Sequence, residues 1–158
     1  MRIAVISDTH GRVNKCIYAL EKMGNIDAII HLGDVYDDSE DISDYFTSVP
    51  VYGVNGNCGL SFRGDSERLL EIGGKRFFIA HGHMYDVKRG LSAFAKKVKQ
   101  VCADIGLFGH THLCFNGIVD GIHLFNPGSA SSPARGECTI GIIEITNGEF
   151  TSFEFKEI

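Results

Sequence analysis

Two imidazoles stand two residues apart in Gly109-His110-Thr111-His112, directly after the apolar stretch containing Ile105, Leu107 and Phe108. On extended chain just past a strand end, both rings can face one cleft, which is a metal-chelating geometry. Other apolar runs end in the same way. Residues 3–6 lead to Asp8 and His10, residues 28–32 to Asp34, residues 51–54 to Asn57, and residues 77–80 to His81. Taken singly, these residues have ordinary structural roles, Asp8 as a turn cap and Asn57 in a left-handed turn beside Gly56. Taken together, two carboxylates, one carboxamide and four imidazoles exceed what one tetrahedral ion can use, and the set contains no thiolate. The donor count points to two metals roughly 3.5–4 Å apart, an arrangement that activates a bound water, orients a phosphoryl group and stabilises attacking and departing oxygens. Asp34, with no second ligand beside it, is the natural bridge between them.

The elements that must present these residues follow from apolar periodicity. Residues 3–6 and 28–32 are nearly continuous apolar runs, as strands covered on both faces require. Between them a helix over residues 14–23 carries Ile17, Leu20 and Met23 on one face and stops at Gly24, a residue suited to a left-handed cap. That order makes a βαβ unit, so the sheet begins parallel. A second helix opens at Ser39-Glu40-Asp41 and runs to Phe46, and residues 51–54 form the third strand. Residues 68–72 and 75–80 form a hairpin about Gly73-Gly74. An amphipathic helix spans roughly residues 90–101, with Leu91, Phe94, Ala95 and Val98 inward. After the strand 105–108, short strands at 113–119, 122–125, 139–145 and 150–155 make the second half mostly β and antiparallel at its end. In open α/β sheets ligands bind at the carboxyl edge of the strands, which is where every candidate residue falls.

With 158 residues, 44% apolar and 22% charged, the chain is long enough to bury a core as one domain over residues 1–158. A net charge of -5 and a pI near 5.7 supply no pull toward nucleic acid or an anionic membrane. The first apolar run is interrupted at Asp8 before it could become a signal-peptide core, and no stretch approaches about 20 apolar residues, so a cytoplasmic location is expected. Five cysteines at 16, 58, 102, 114 and 138, without Cys-x-x-Cys spacing, fit reduced thiols, four of them packed in the core.

Asp8-x-His10, Gly33-Asp34, Gly56-Asn57, His81 after an apolar strand and Gly109-His110-Thr111-His112 resemble the five motifs of the calcineurin-like metallophosphoesterase superfamily. The short chain, with Asn126-Pro127-Gly128-Ser129 followed by Pro133 and Arg135, resembles its small bacterial and archaeal phosphodiesterase branch, which includes the vacuolar-sorting subunit of retromer. The resemblance implies a four-layer α/β/β/α sandwich of two packed mixed sheets. It also implies ligand roles: Asp8, His10 and His112 on one ion, Asn57, His81 and His110 on the other, and Asp34 bridging. Family members commonly use manganese; the residue types alone also admit Ni, Fe or Zn.

The implied reaction is hydrolysis of a small phosphodiester by a metal-bridging hydroxide, with Asn57 and His81 neutralising charge on the phosphoryl oxygens. One departure bears on it. Where many relatives carry His and then an acidic residue after the motif Asn, this chain has Cys58 and Gly59, which weakens acid help to a poor leaving group. Phosphodiesters with good leaving groups are therefore expected to be preferred over phosphomonoesters. The alternatives are a phosphomonoesterase or nuclease, and a non-catalytic interaction scaffold, which the retromer relative shows the fold can be. Acidic charge argues against long nucleic acid, and homo-oligomerisation stays open. His31 reads as a hydrogen-bonded core residue, His123 as structural, and His83 as either support for the site or a substrate-facing group. Arg135 reads as a phosphate contact or a loop anchor, and Cys58 as the thiol most exposed to oxidation. Specificity is expected to reside in residues 37–41, 60–66 and 84–90.

Overall fold

A computed structural model describes residues 1–58 and 64–158. The uninterrupted apolar run near the N-terminus forms strand β1, Arg2–Ile6, and helix α1, Val13–Met23, crosses to β2, Ala28–His31. Helix α2, Asp37–Tyr45, precedes β3, Val51–Gly53. The hairpin strands are β4, Glu67–Ile72, and β5, Lys75–Ala80, turning through Gly73 and Gly74 at φ 61° and 78° as a two-residue connection demands. A 3₁₀ turn at His83–Tyr85 leads to helix α3, Ser92–Gln100. The chain closes with β6, Ile105–Leu107; β7, Cys114–Val119; β8, Ile122–Pro127; β9, Thr139–Thr146; and β10, Glu149–Glu157.

These strands make two mixed sheets, ordered β10-β9-β1-β2-β3 and β4-β5-β6-β8-β7. In the first, β1, β2 and β3 are parallel, with Ile3 opposite Ala28 and Ile29 opposite Val51, while β9 and β10 run antiparallel beyond β1. In the second, β5, β6 and β8 are parallel and β4 and β7 close the edges antiparallel. Ile3, Val5 and Ile30 of one sheet pack against Phe77, Ile79, Leu107 and Phe125 of the other. The outer face of the first sheet, including Ala4, Ile6 and Ile29, meets Val13, Cys16 and Leu20 of α1 and Ile42 of α2. On the outer face of the second, Phe78, Ala80 and Leu124 meet Phe94, Ala95 and Val98 of α3. The expected α/β/β/α layering follows. Each buried Ile, Leu or Phe contributes about 1.5–3 kcal/mol through removal of apolar surface from water.

Three expectations are corrected. Helix α2 begins at Asp37, because Ser39 does not cap it: the Ser39 hydroxyl donates back to Tyr36 O at 2.7 Å inside the first turn. Residues 37–41 are thus helical, with Asp38 and Ser39 buried, and not a free specificity loop. Of the other two specificity segments, residues 60–63 lie outside the described residues, and 84–90 include part of the 3₁₀ turn. All five cysteines are free thiols, but only Cys16 is buried; Cys138 is half-buried and Cys58, Cys102 and Cys114 are exposed. Cys102 sits in a left-handed turn after α3 and Cys114 on the edge strand β7, places where the chain meets solvent. Among the described residues, no helix is long and apolar enough to cross a membrane.

Candidate metal centre

The chain segments that follow β1, β2, β3, β5 and β6 carry Asp8 and His10, Asp34, Asn57, His81, and His110 and His112. They meet because two glycines permit backbone to touch backbone. A Cβ at Gly33 would lie 2.8 Å from Val54 O, and one at Gly56 only 2.2 Å from Asp34 N. The Cys58 amide donates to Asp34 O at 3.1 Å, and the Gly109 amide to His81 O at 3.1 Å. Five of the candidate residues pay for this convergence in backbone conformation: Asp8, His10, Asp34, His110 and His112 have φ of 56°, 48°, 97°, 65° and 57°.

Asp8 is fully buried. Its Oδ2 accepts hydrogen bonds from the Ser7 hydroxyl at 2.7 Å and the His110 amide at 3.0 Å. Its carbonyl accepts from the Ser129 and Ser131 hydroxyls, both at 2.9 Å. His81 donates from Nδ1 to Leu32 O at 2.8 Å, since a carbonyl can only accept, and this turns the Nε2 lone pair inward. That nitrogen lies 2.9 Å from Asn57 Oδ1 and 3.9 Å from Asp8 Oδ1. His112 is held likewise, Nδ1 donating to Ser132 O at 2.5 Å and Nε2 standing 3.1 Å from Asp8 Oδ1. His10 Nδ1 pairs with Asp34 Oδ2.

Three overlapping groups have ligand atoms close enough to share an ion: Asp8, His10 and His112; Asp8, Asp34 and His81; and His10, Asp34 and Cys58. The fit to metal is tested by the carboxylates themselves. Asp8 Oδ1 and Asp34 Oδ2 are buried and are met by ring nitrogens of His112, at 3.1 Å, and of His10; a buried carboxylate oxygen costs on the order of 1–3 kcal/mol unless something positive meets it. Imidazole and carboxylate donors of this kind suit borderline divalent ions. Asn57 reaches the cluster through its oxygen. His110 contributes its amide to Asp8, and its ring lies 5.0 Å from that of His81, outside the three tight groups.

Electrostatics match this arrangement. Burial pushes the Asp8 carboxyl up, but the His112 hydrogen bond, the His81 charge and the Ser7 hydroxyl outweigh it and hold it below the usual range. Burial lowers His81, and burial with neighbouring His81 and Lys88 pushes His110 down to about 4. Both rings are neutral at pH 7 and ready to ligate. The hydrogen bond to Asp8 raises His112. A hydrogen bond to Asp34, with burial, pushes Cys58 up to about 11, so in the protein alone this exposed thiol is a poor nucleophile toward oxidants.

Other residues support the cluster from behind. Gly33 N donates to His31 Nδ1 at 3.2 Å, so His31 Nε2 donates to Thr9 Oγ1 at 2.9 Å, and Thr9 donates to Asp38 Oδ2 at 2.5 Å. Asp38 also accepts from the Gly11 amide at 2.9 Å, bracketing the Asp8–His10 segment. His31 is the hydrogen-bonded core residue expected. Asp38 escapes sequence reading, since nothing local marks it. Ser129, Ser131 and Ser132 follow the end of β8, so the strand-end rule that flags the ligands also reaches them. His83 has a buried, unpartnered Nδ1 and a ring 5.4 Å from that of His81. His123 bonds Asn116 Oδ1 at 2.7 Å and packs on Phe153, a structural role. Arg135 is exposed.

Comparison with known proteins agrees. The calcineurin-like phosphoesterase superfamily domain matches residues 1–148. The chain is 32% identical over 136 residues to a probable metallophosphoesterase of Bacillus subtilis, YsnB, covering 84% of this chain and 77% of that protein. It is 27% identical over 168 residues to a phosphodiesterase of Methanocaldococcus jannaschii, covering 95% and 96%. Among solved structures, a predicted phosphoesterase of Streptococcus pneumoniae superposes with TM-score 0.82 at 27% identity, over 99% of this chain and 88% of that one. Vps29 from Entamoeba histolytica, complexed with zinc, superposes with TM-score 0.77 at 21% identity over 100% and 98%, a likeness of fold alone. Matched across nearly its whole length, the chain belongs to the calcineurin-like phosphoesterase superfamily.

Proposed function

We propose that this protein is a divalent-metal-dependent phosphodiesterase with a dinuclear centre that hydrolyses a small phosphodiester. Asp8, His10 and His112 would hold one ion, Asn57, His81 and His110 the other, with Asp34 shared and manganese as the working metal. The observation that carries this reading is the pair of buried carboxylate oxygens, Asp8 Oδ1 and Asp34 Oδ2, gathered with imidazole nitrogens into groups tight enough to share an ion. An archaeal phosphodiesterase 27% identical to this chain supports the reaction class, and a solved archaeal phosphodiesterase structure superposes with TM-score 0.76.

When bound, the ions supply an activated water and withdraw charge from the phosphoryl oxygens. The chain's own residues supply preorganisation. Ser7, Ser129, Ser131 and the His110 amide fix Asp8 before substrate arrives. The Leu32 and Ser132 carbonyls fix the rings of His81 and His112, so no reorganisation is needed as charge develops. Asn57 and His81 stand together at the cluster, where both can face a phosphoryl oxygen. Cys58 follows Asn57, and its thiol, raised to about 11, is a weak acid for a poor alkoxide leaving group. Good leaving groups are therefore favoured. With added manganese, bis-p-nitrophenyl phosphate should turn over faster than p-nitrophenyl phosphate; faster monoester hydrolysis would overturn the proposal.

A further inference from the structure

Next to the metal centre lies a cavity of about 370 Å³. Its lining combines Val87 and Leu91, from the segment between the 3₁₀ turn and α3, with Phe108, Leu113 and Phe115, which flank the metal-ligand loop. Thr111, between His110 and His112, is also part of the lining, so cavity and metal-ligand loop share a wall. The rings of Phe108 and Phe115 stand 6.0 Å apart at 52°. Little in this wall is free to hydrogen-bond. Thr111 Oγ1 already accepts from Asn126 Nδ2 at 3.0 Å and Leu113 N at 3.3 Å, and the Cys114 thiol donates to Pro127 O at 3.4 Å.

The exception is Lys88. It lines the same cavity, is exposed, and forms no ion pair or hydrogen bond among the described residues. It shares that lining with Thr111, the residue between His110 and His112. An apolar slot with aromatic walls and an unpaired cation at its mouth selects a flat apolar group attached to an anion. The volume lies near the lower end of the range for small-molecule sites, enough for one ring system rather than two.

Building on the phosphodiesterase reading, we propose that this cavity is the subsite for one arm of the substrate, accepting an aromatic or heteroaromatic group of nucleobase size while Lys88 pairs with the phosphate. The specificity of the enzyme then lies between residues 87 and 91 on one side and Leu113 to Phe115 on the other. A diester with two small aliphatic arms leaves the slot empty and gains only the phosphate contacts.

The test uses diphenyl phosphate and dimethyl phosphate as probes. Methyl resonances of Val87, Leu91 and Leu113 are followed in metal-free and in zinc-loaded protein, and affinities are measured by calorimetry. Diphenyl phosphate should move those resonances, and dimethyl phosphate should not. Leu113→Asn, on an exposed side chain, should raise the Kd for diphenyl phosphate about tenfold and leave dimethyl phosphate unchanged. Leu91→Ala, which enlarges the slot away from the metal loop, should raise it about threefold. Lys88→Ala should weaken both probes by the same factor. Methyl resonances unmoved at saturation in both states, or equal loss for both probes in Leu113→Asn, would overturn the subsite. Missing manganese-dependent diester turnover with the resonance shifts intact would instead overturn the reaction assignment and support the subsite.

Discussion

Gly56→Ala should disable the metal centre while leaving the fold standing. The added Cβ would lie 2.2 Å from Asp34 N, 2.3 Å from Asp34 Cα and 2.7 Å from Asp34 O, where ordinary contact begins at 3.4 Å. These are backbone atoms, so no side chain can swing aside, and the two loops must part by about 1 Å. The parting stretches the bond from Cys58 N to Asp34 O and carries Asn57 away from His81. Overpacking of this kind costs about 1–3 kcal/mol, and at roughly 2–4 °C per kcal/mol for a chain of this size the Tm should fall by about 2–12 °C. A misplacement of about 1 Å in a reacting constellation costs on the order of 100-fold, so kcat/KM for bis-p-nitrophenyl phosphate in manganese should fall by about that factor. Gly74→Ala is the control: it sits at φ 78° with nothing within 4 Å, so it should lower Tm and leave kcat/KM alone. Wild-type kcat/KM with full metal occupancy in Gly56→Ala would refute the argument that loop contact positions the ligands.

Three further outcomes are expected. Asp34→Asn should abolish most turnover and lower the bound manganese measured by metal analysis of the purified protein; unchanged manganese-dependent turnover contradicts its assignment as bridge. Asp38→Asn touches no ligand yet weakens the support of Thr9 and Gly11, and should reduce metal affinity about tenfold, read by competition with a chelating dye; wild-type affinity would remove Asp38 from the support. The folded pKa of His110, about 4, lies below its ordinary 6.5, so as pH falls the unfolded chain binds the proton first. Stability from this group is complete above about 6.5 and lost toward 4, and the metal-free Tm of wild type should fall more steeply over that window than that of His110→Gln. His112, raised by Asp8, acts with opposite sign and above this window. Parallel Tm profiles for the two proteins would exclude His110.

The strand ends are legible in the sequence because their signal is contiguous: an apolar run, then a glycine or tight turn, then a chelating side chain. That local pattern suffices for β1, β2, β3, β5 and β6 and for each candidate ligand. What joins them is not contiguous. The Gly33–Gly56 contact, the Asp38–Thr9–His31 chain and the serines behind Asp8 depend on distances between segments 22 to 123 residues apart, on which no propensity bears. Sequential hairpin logic also hides the place of β8 between β6 and β7, pairing parallel to one and antiparallel to the other. Ser39 shows how a strong local signal misleads: it has the residue type of a cap, and tertiary placement puts it inside the helix. Cysteine burial fails for a related reason, since the general tendency of the residue type says nothing about edge strands and turns.

Five residues of the candidate metal centre adopt positive φ. At about 1 kcal/mol each, the left-handed backbone opposes folding by roughly 5 kcal/mol, comparable with the whole net stability of a small domain. Glycine at any of these positions would relax the backbone and delete the donor in one step. Losing the candidate ligands while keeping the sandwich therefore relieves backbone strain, except at Asp8, where it would also strand the Ser7 hydroxyl and the His110 amide. The reverse journey is steep. Installing this centre on another protein requires its contorted loops as much as its side chains, and a host selected only for robustness will tend to shed them.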